Sequence, residues 1–160
     1  MAILTTSGRS ALATAVVSQP LHLAWGSGSA GWDITPVTES IGDAALMAEV
    51  GRRSSTYVGY CTPNTTGDII VPTGRFASSD TPTNNIYLRF NFDFSDASTS
   101  TIREAAVFMG AVPVAGLPAG QKYFLPSQIQ SQGILLAIER FPKIVRSATV
   151  RQSFEFVLTI

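Results

Sequence analysis

Residues 21–31 read LHLAWGSGSAG. An alternating pentapeptide, Leu21-His22-Leu23-Ala24-Trp25, runs into Gly26-Ser27-Gly28-Ser29-Ala30-Gly31. Those six residues spell the G-x-G-x-x-G of a dinucleotide-binding loop and come after a strand-like run, as that motif requires. The motif also demands a helix directly after the loop, because the pyrophosphate rests on that helix's N-terminus. The next residues are instead Trp32-Asp33-Ile34-Thr35-Pro36-Val37. Pro36 blocks a helix interior and pushes Thr35 towards extended backbone. The nearby helical pattern precedes the strand, and the downstream pattern has no βαβ frame. The glycines read as a turn with positive φ at one or more positions. Gly26→Ala or Gly28→Ala is expected to impair folding or assembly.

Working outward, residues 5–19 form a short helix. Thr5, Thr6 or Ser7 caps it, Leu12, Ala15 and Val16 share one face, Leu4 packs from before the cap, and Pro20 stops it. Residues 42–53, GDAALMAEVGRR, predict a second short helix with a Leu46/Met47/Val50 face and Gly51 beyond its end. From there the pattern becomes β. Residues 56–61 and 68–71 predict a hairpin, and 78–85 a polar loop. The cleanest period-two signal is 86–94, IYLRFNFDF, with Ile86, Leu88, Phe90, Phe92 and Phe94 on one face. Further strands are expected at 102–109, 134–139 and 150–160. Residues 110–133, rich in Gly, Pro and Gln, read as a long functional or partner-covered loop. The expected fold is mainly β with short helices (α+β), an antiparallel sheet or β-sandwich preceded by an N-terminal helix. One domain spans 1–160, with a helix-strand-glycine-loop unit at 1–37 and a β body at 38–160.

Composition narrows the function. Lys+Arg and Asp+Glu number 11 each, so no basic field exists to attract a nucleic acid. Only 14% of residues are charged while 45% are hydrophobic, and near-neutral chains tend to associate, which points to surface covered by partner subunits. No apolar run approaches the ~20 residues needed to span a bilayer. The first twenty residues also lack the charged start of a signal peptide, since Arg9 interrupts the apolar stretch.

Candidate chemistry is sparse. His22 is the sole histidine and Cys61 the sole cysteine, so any Ser-His-acid or Cys-His arrangement must use them. No G-x-S-x-G elbow exists around Ser29, and nothing local lowers the Cys61 pKa. His22 reads as a surface or interface residue. No D-x-D-x-D-G loop or H-x-x-x-H pair offers a metal site. Glu104 beside Arg103 and Glu139 beside Arg140 sit in apolar strands, where cross-strand Arg–Glu pairing is the better reading than paired-carboxylate catalysis. Lys143, Arg146 and Arg151 form a thin basic series suited to inter-subunit ion pairs. No cofactor, metal or catalytic residue is expected.

The order of features resembles bacteriophage tail-fibre and tail-collar attachment domains. The matching residues are Leu4-Thr5, Gly8, Ala11 to Ala15, Leu21 to Ala24, and Gly26 with Gly28. Leu46-Met47-Ala48-Glu49-Val50-Gly51-Arg52 is similar to that family's Leu-x-x-Glu-x-x-Arg segment. Residues 102–108, IREAAVF, are similar to its Ile-x-Glu-x-Gly-x-Phe strand, and Phe141-Pro142-Lys143-Ile144-Val145-Arg146 to its closing region. Residues 56–94 and 110–133 match less closely.

The resemblance implies a structural tail protein in the virion, assembled in the host cytoplasm, present in several copies, and contacting other tail or baseplate proteins as well as itself. Such domains usually continue into a fibre, whereas this chain ends at Ile160, which favours a baseplate or tail-tip adaptor over a receptor binder. The interface residues assigned on this reading are Leu12, Val16, Trp25, Gly26, Gly28, Trp32, Arg103, Glu104, Tyr123 and Arg146. The alternative is a carbohydrate-binding or carbohydrate-active β-sandwich, with Trp25, Trp32, Tyr57, Tyr60 and Tyr123 as stacking faces and a host-surface glycan as the less favoured partner.

Overall fold

A computed structural model describes residues 2–160. One α-helix, α1 (Thr6–Val17), opens the chain. The next strands are β1 (Leu21–Gly26), β2 (Glu49–Ser54), β3 (Tyr57–Pro63), β4 (Ile69–Val71), β5 (Gly74–Ser79) and β6 (Asn85–Phe92). After them come β7 (Thr101–Met109), β8 (Val112–Pro113), β9 (Tyr123–Phe124), β10 (Ile129–Ser131), β11 (Ile134–Val145) and β12 (Gln152–Thr159). The fold is mainly β, built on antiparallel sheets with an N-terminal helix.

The chain divides into two compact units. The first comprises residues up to Gln19 with Ser55–Phe90 and Ser153–Ile160; the second comprises Pro20–Ser54 and Asn91–Gln152. Of residues 1–37, the helix thus belongs to the first unit and β1 with its glycine loop to the second.

In the first unit a five-stranded sheet runs β12-β6-β3-β5-β4. Its core gathers Cys61, Ile69, Val71, Phe76 and Tyr87, with Val157 packed against them. Ile86, Leu88 and Phe90 of β6 are fully buried, as their period-two spacing predicts, but Tyr87 on the opposite face is buried too. Phe94 lies beyond the strand and is exposed. The hairpin expected between 56–61 and 68–71 is replaced by a tighter one. β4 pairs with β5, and β5 with β3, so part of the expected polar loop at 78–85 is strand. Pro72 explains the change: it pre-sets the turn that joins Val71 to Gly74, whose φ is +144°.

Thr5 caps α1, its hydroxyl accepting the Gly8 N–H at 3.1 Å. Of the helix only Ala13 is buried; Leu12, on the shared Leu12/Ala15/Val16 face, is 47% exposed.

In the second unit β7 and β1 form the middle of a five-stranded sheet, order β11-β7-β1-β2-β9. All six residues of β1 are buried, which its Leu/Ala/Trp content accommodates. The segment read as a loop at 110–133 contains β8, β9 and β10, with β8 and β10 paired. The second predicted helix is absent. Residues 49–54 are β2, paired with β1 across a register shift at Trp25/Gly26, and 42–48 are irregular. The Met47 and Ala48 N–H groups bond to the Glu104 carboxylate at 2.7 and 3.4 Å, an acceptor a local helix pattern cannot anticipate. Gly51 ends no helix either. It sits where a Cβ would strike the Tyr123 hydroxyl, so a close approach within the sheet requires it.

Candidate assembly interface

The glycine loop, β7 and β11 converge within the second unit on a network of charges. Gly26 closes β1, and a Cβ there would lie 2.6 Å from Glu104 Cγ. Gly28 has φ +55°, as the turn reading requires of at least one glycine, and a Cβ would lie 2.6 Å from Trp32 Cε3. Ser29 then caps a single 3-10 turn, Ala30–Trp32. Gly28→Ala is expected to cost roughly 2 kcal/mol from the left-handed backbone and the displaced indole together, read as a lower thermal midpoint. An unchanged midpoint would show that the loop accommodates the methyl.

Arg103 holds this loop from β7. Its Nε reaches Asp33 Oδ1 at 2.7 Å and its Nη1 donates to the Ser27 carbonyl at 2.8 Å. Lys143 Nζ meets the other Asp33 oxygen at 2.7 Å. The hydrogen bonds from Lys143 and Arg103 hold the Asp33 carboxyl below its ordinary pKa. One residue on, Glu104 points to the other face and is fully buried. Arg140 stands opposite it in the β11–β7 register, with Nε 3.7 Å from Glu104 Oε2, so the cross-strand Arg–Glu reading holds. The same guanidinium lies 3.0 Å from Asp43, donates to the Thr38 carbonyl at 3.3 Å, and covers the Trp32 ring at 5.3 Å. Asp43 is held below its ordinary pKa by the Ser40 N–H first and Arg140 second.

This network ties Asp33 and Asp43 to side chains of β7 and β11 and leaves aliphatic groups of the segment outside. Ile34 is 87% exposed, Ile41 fully exposed and Met47 64% exposed, with Val37 also open. Four exposed aliphatics thus share this one irregular segment.

The other assigned residues fall differently. Trp25 is fully buried, its ring stacked on Phe92 at 3.4 Å and 12°. Arg146 is buried beside it, 5.1 Å from the indole, donating to the Val150 and Asp93 carbonyls at 3.0 and 2.9 Å. Tyr123 is half-buried, its hydroxyl donating to the Val50 carbonyl at 3.3 Å; burial pushes its pKa up to about 12. Val16 is half-buried on α1. Trp25, Glu104 and Arg146 therefore serve the chain's own interior, while Leu12 is open. Trp25 and Trp32 likewise offer no free face for a sugar, and Tyr57 is the exposed ring of that group.

Arg52, named in the sequence only within the Glu-x-x-Arg resemblance and not assigned to the site, is fully buried with both Glu49 carboxylate oxygens at 2.8 and 2.7 Å and the Phe108 ring 4.3 Å away. Residues three apart on a regular strand face opposite sides. Here the register passes from Trp25↔Gly51 to Gly26↔Glu49, leaving Val50 as a bulge that turns Glu49 to the Arg52 side. The Glu-x-x-Arg spacing was the available signal.

His22 is buried, 4% exposed, rather than at the surface. Its Nε2 lies 3.2 Å from Ser54 Oγ, its ring meets Phe124 edge-on, and its Nδ1 has no hydrogen-bond partner. No carboxylate orients it as a base would need. Burial, then the Arg52 charge, lowers its pKa to about 4. The unfolded chain, with the ordinary value near 6.5, binds the proton first as pH falls, so stability drops between those two values. About 2 kcal/mol should be lost between pH 7 and 5, and about 3 by pH 4. Urea midpoints at pH 7, 6 and 5 check this, and His22→Gln should remove the slope in that range. Cys61 is also buried, its thiol pushed up to about 11, the opposite of an activated nucleophile.

Among the described residues no three of His, Cys, Asp and Glu gather as metal ligands, and no helix is long and apolar enough to cross a membrane. No curated protein matches the chain. The model of one family, described as baseplate wedge 3 tail fiber network component, matches residues 1–160. The whole length of the chain thus agrees with the tail-structure resemblance in its sequence, and the protein belongs to this family of phage baseplate and tail-fibre network components.

Proposed function

We propose that the chain is a non-enzymatic adaptor of the phage tail, fixing neighbouring tail proteins and copies of itself through surface burial. The supporting observation is residues 33–48, where Asp33 and Asp43 are held by Arg103, Arg140 and Lys143 while Ile34, Ile41 and Met47 face outward. An isolated soluble protein gains nothing from that arrangement; a subunit whose neighbours cover those groups does. The adaptor acts in the virion tail after assembly in the host cytoplasm, without a cofactor, nucleic acid or membrane insertion. Quantitative mass spectrometry of purified particles, beside native mass spectrometry of the isolated protein, tests the reading. The expected result is several copies per particle and self-association in solution. A stable monomer that is absent from particles overturns it.

A further inference from the structure

In the first unit, the turn that leads from β3 to β4 is pressed onto β5. Gly67 is buried there, and a Cβ on it would strike the Phe76 carbonyl. Asn64 builds the turn. Its Oδ1 accepts the Thr66 N–H and the Thr66 hydroxyl, both at 2.9 Å, and its own N–H donates to the Arg75 carbonyl at 3.0 Å. The Arg75 side chain reaches the turn from β5, its Nε donating to the Gly67 carbonyl at 3.3 Å. Asn64 and Arg75, with Pro63 and Thr65, line a cleft of about 350 Å³.

The side chains of that lining keep donors in reserve. Asn64 Oδ1 is already used twice, so its amide offers N–H groups; the Thr65 hydroxyl bonds nothing, and both Nη groups of Arg75 are open. Among the described residues six other arginines reach a carboxylate, and Arg9 and Arg146 give Nη groups to backbone carbonyls. Arg75 does neither. Asp68, beside Gly67, is exposed and forms no ion pair with it. Ile70 stands opposite Arg75 in the β4–β5 register, so the two share a face, and it is 63% exposed on the strand that ends the sheet.

A guanidinium steadied at Nε, with both Nη groups open beside an amide and a hydroxyl, matches a carboxylate, which takes two parallel N–H bonds. The aliphatic ledge suits a protein segment, and no aromatic ring lines the cleft to stack a sugar. Two copies meeting here about a two-fold axis would set one Arg75 against the other, and like charge opposes that pairing.

We propose that this cleft receives an aspartate or glutamate side chain of another tail protein, its carboxylate bonded to Arg75 Nη1 and Nη2 with Asn64 and Thr65 donating beside it, and a neighbouring aliphatic residue laid on Ile70. The proposal rests on the adaptor reading above and adds a contact in the first unit.

The test uses whole particles carrying a benzophenone amino acid at Ile70, which keeps that position apolar, with Asp80, exposed past the other end of β5, as the control position. Irradiation should join Ile70 to a segment of another tail protein that holds an Asp or Glu within a few residues, and Asp80 should give no such product. Arg75→Glu, a change at an exposed side chain without an ion pair, should leave the melting temperature of the isolated protein within about 2 °C of the wild type. It should lower the cross-linked fraction per copy at least about tenfold. Arg75→Gln, which removes the charge without reversing it, should lower that fraction at least about threefold, and it carries the reading if the glutamate variant is unstable. No product at Ile70, a product with a second copy, a joined segment without an acid, or a yield unchanged by these substitutions overturns the proposal while the adaptor reading stands. Absence of the wild-type protein from particles overturns the adaptor reading itself.

Discussion

Glu104→Ala is expected to remove about 3–5 kcal/mol of unfolding free energy, the cost of stripping one partner from a buried charged cluster. The carboxylate is fully buried and accepts the Met47 and Ala48 N–H groups at 2.7 and 3.4 Å. Alanine leaves both donors without that acceptor and Arg140 without a neighbour 3.7 Å away. It also opens space beneath Gly26, whose missing Cβ is what lets the acid lie there. Glu104→Gln separates the contributions. Its amide oxygen can still accept from Met47, so its loss should be smaller, about 1–2 kcal/mol. Urea unfolding with the m-value held free reads both variants. If Glu104→Ala costs less than 1 kcal/mol, the carboxylate does not anchor the 42–48 segment, and the adaptor surface has no such foundation.

That anchor also marks the boundary of what the sequence discloses. The period-two run at 86–94 announces β6, a purely local property, whereas 102–109 reads as a strand from its apolar content and is buried without a break from Glu104 to Phe108. The Arg140–Glu104 pair is legible because two acids beside arginines in apolar strands need partners. The 42–53 stretch is misleading for the converse reason. Leu46, Met47 and Val50 have helical spacing, yet the backbone N–H groups that would close the helix are bonded to a side chain 57 residues away. The Val50 bulge that unites Glu49 with Arg52 is equally non-local, set by pairing with β1. The depth of His22 comes from β1 having strands on both sides, which Leu-His-Leu alternation alone does not reveal.

The candidate surface obeys the same division. The glycines, Trp32, Arg103 and Glu104 stand out in the sequence, but as the scaffold that shapes the contact segment. The outward groups, Ile34, Ile41 and Met47, lie in a stretch whose exposure becomes apparent only once Asp33, Glu39 and Asp43 are seen to be tied to β7 and β11. Hydrophobic residues in a chain of 14% charge read as core by default, and in this segment Ile34, Val37, Ile41 and Met47 are not.

Trp25→Ala should cost about 3–5 kcal/mol as well, through a different mechanism. The indole is fully buried on β1 and stacked on Phe92, and the Arg146 guanidinium lies 5.1 Å from the ring. Truncation removes the largest buried side chain of the second unit and leaves a cavity whose walls include a cation. Trp25→Phe should recover more than half of the loss, because a smaller ring keeps the stacked contact with Phe92. A double-mutant cycle with Arg146→Met isolates the cation–ring contribution, expected at about 1–2 kcal/mol for a desolvated pair. Coupling near zero would mean that Arg146 is held by the Val150, Asp93 and Asp96 carbonyls alone, at 3.0, 2.9 and 3.3 Å, with the indole only a wall. A loss below 2 kcal/mol for Trp25→Ala would instead show that the second unit collapses around the gap. Its stability would then rest on the charged anchors at Glu104 and Arg52 more than on its aromatic core.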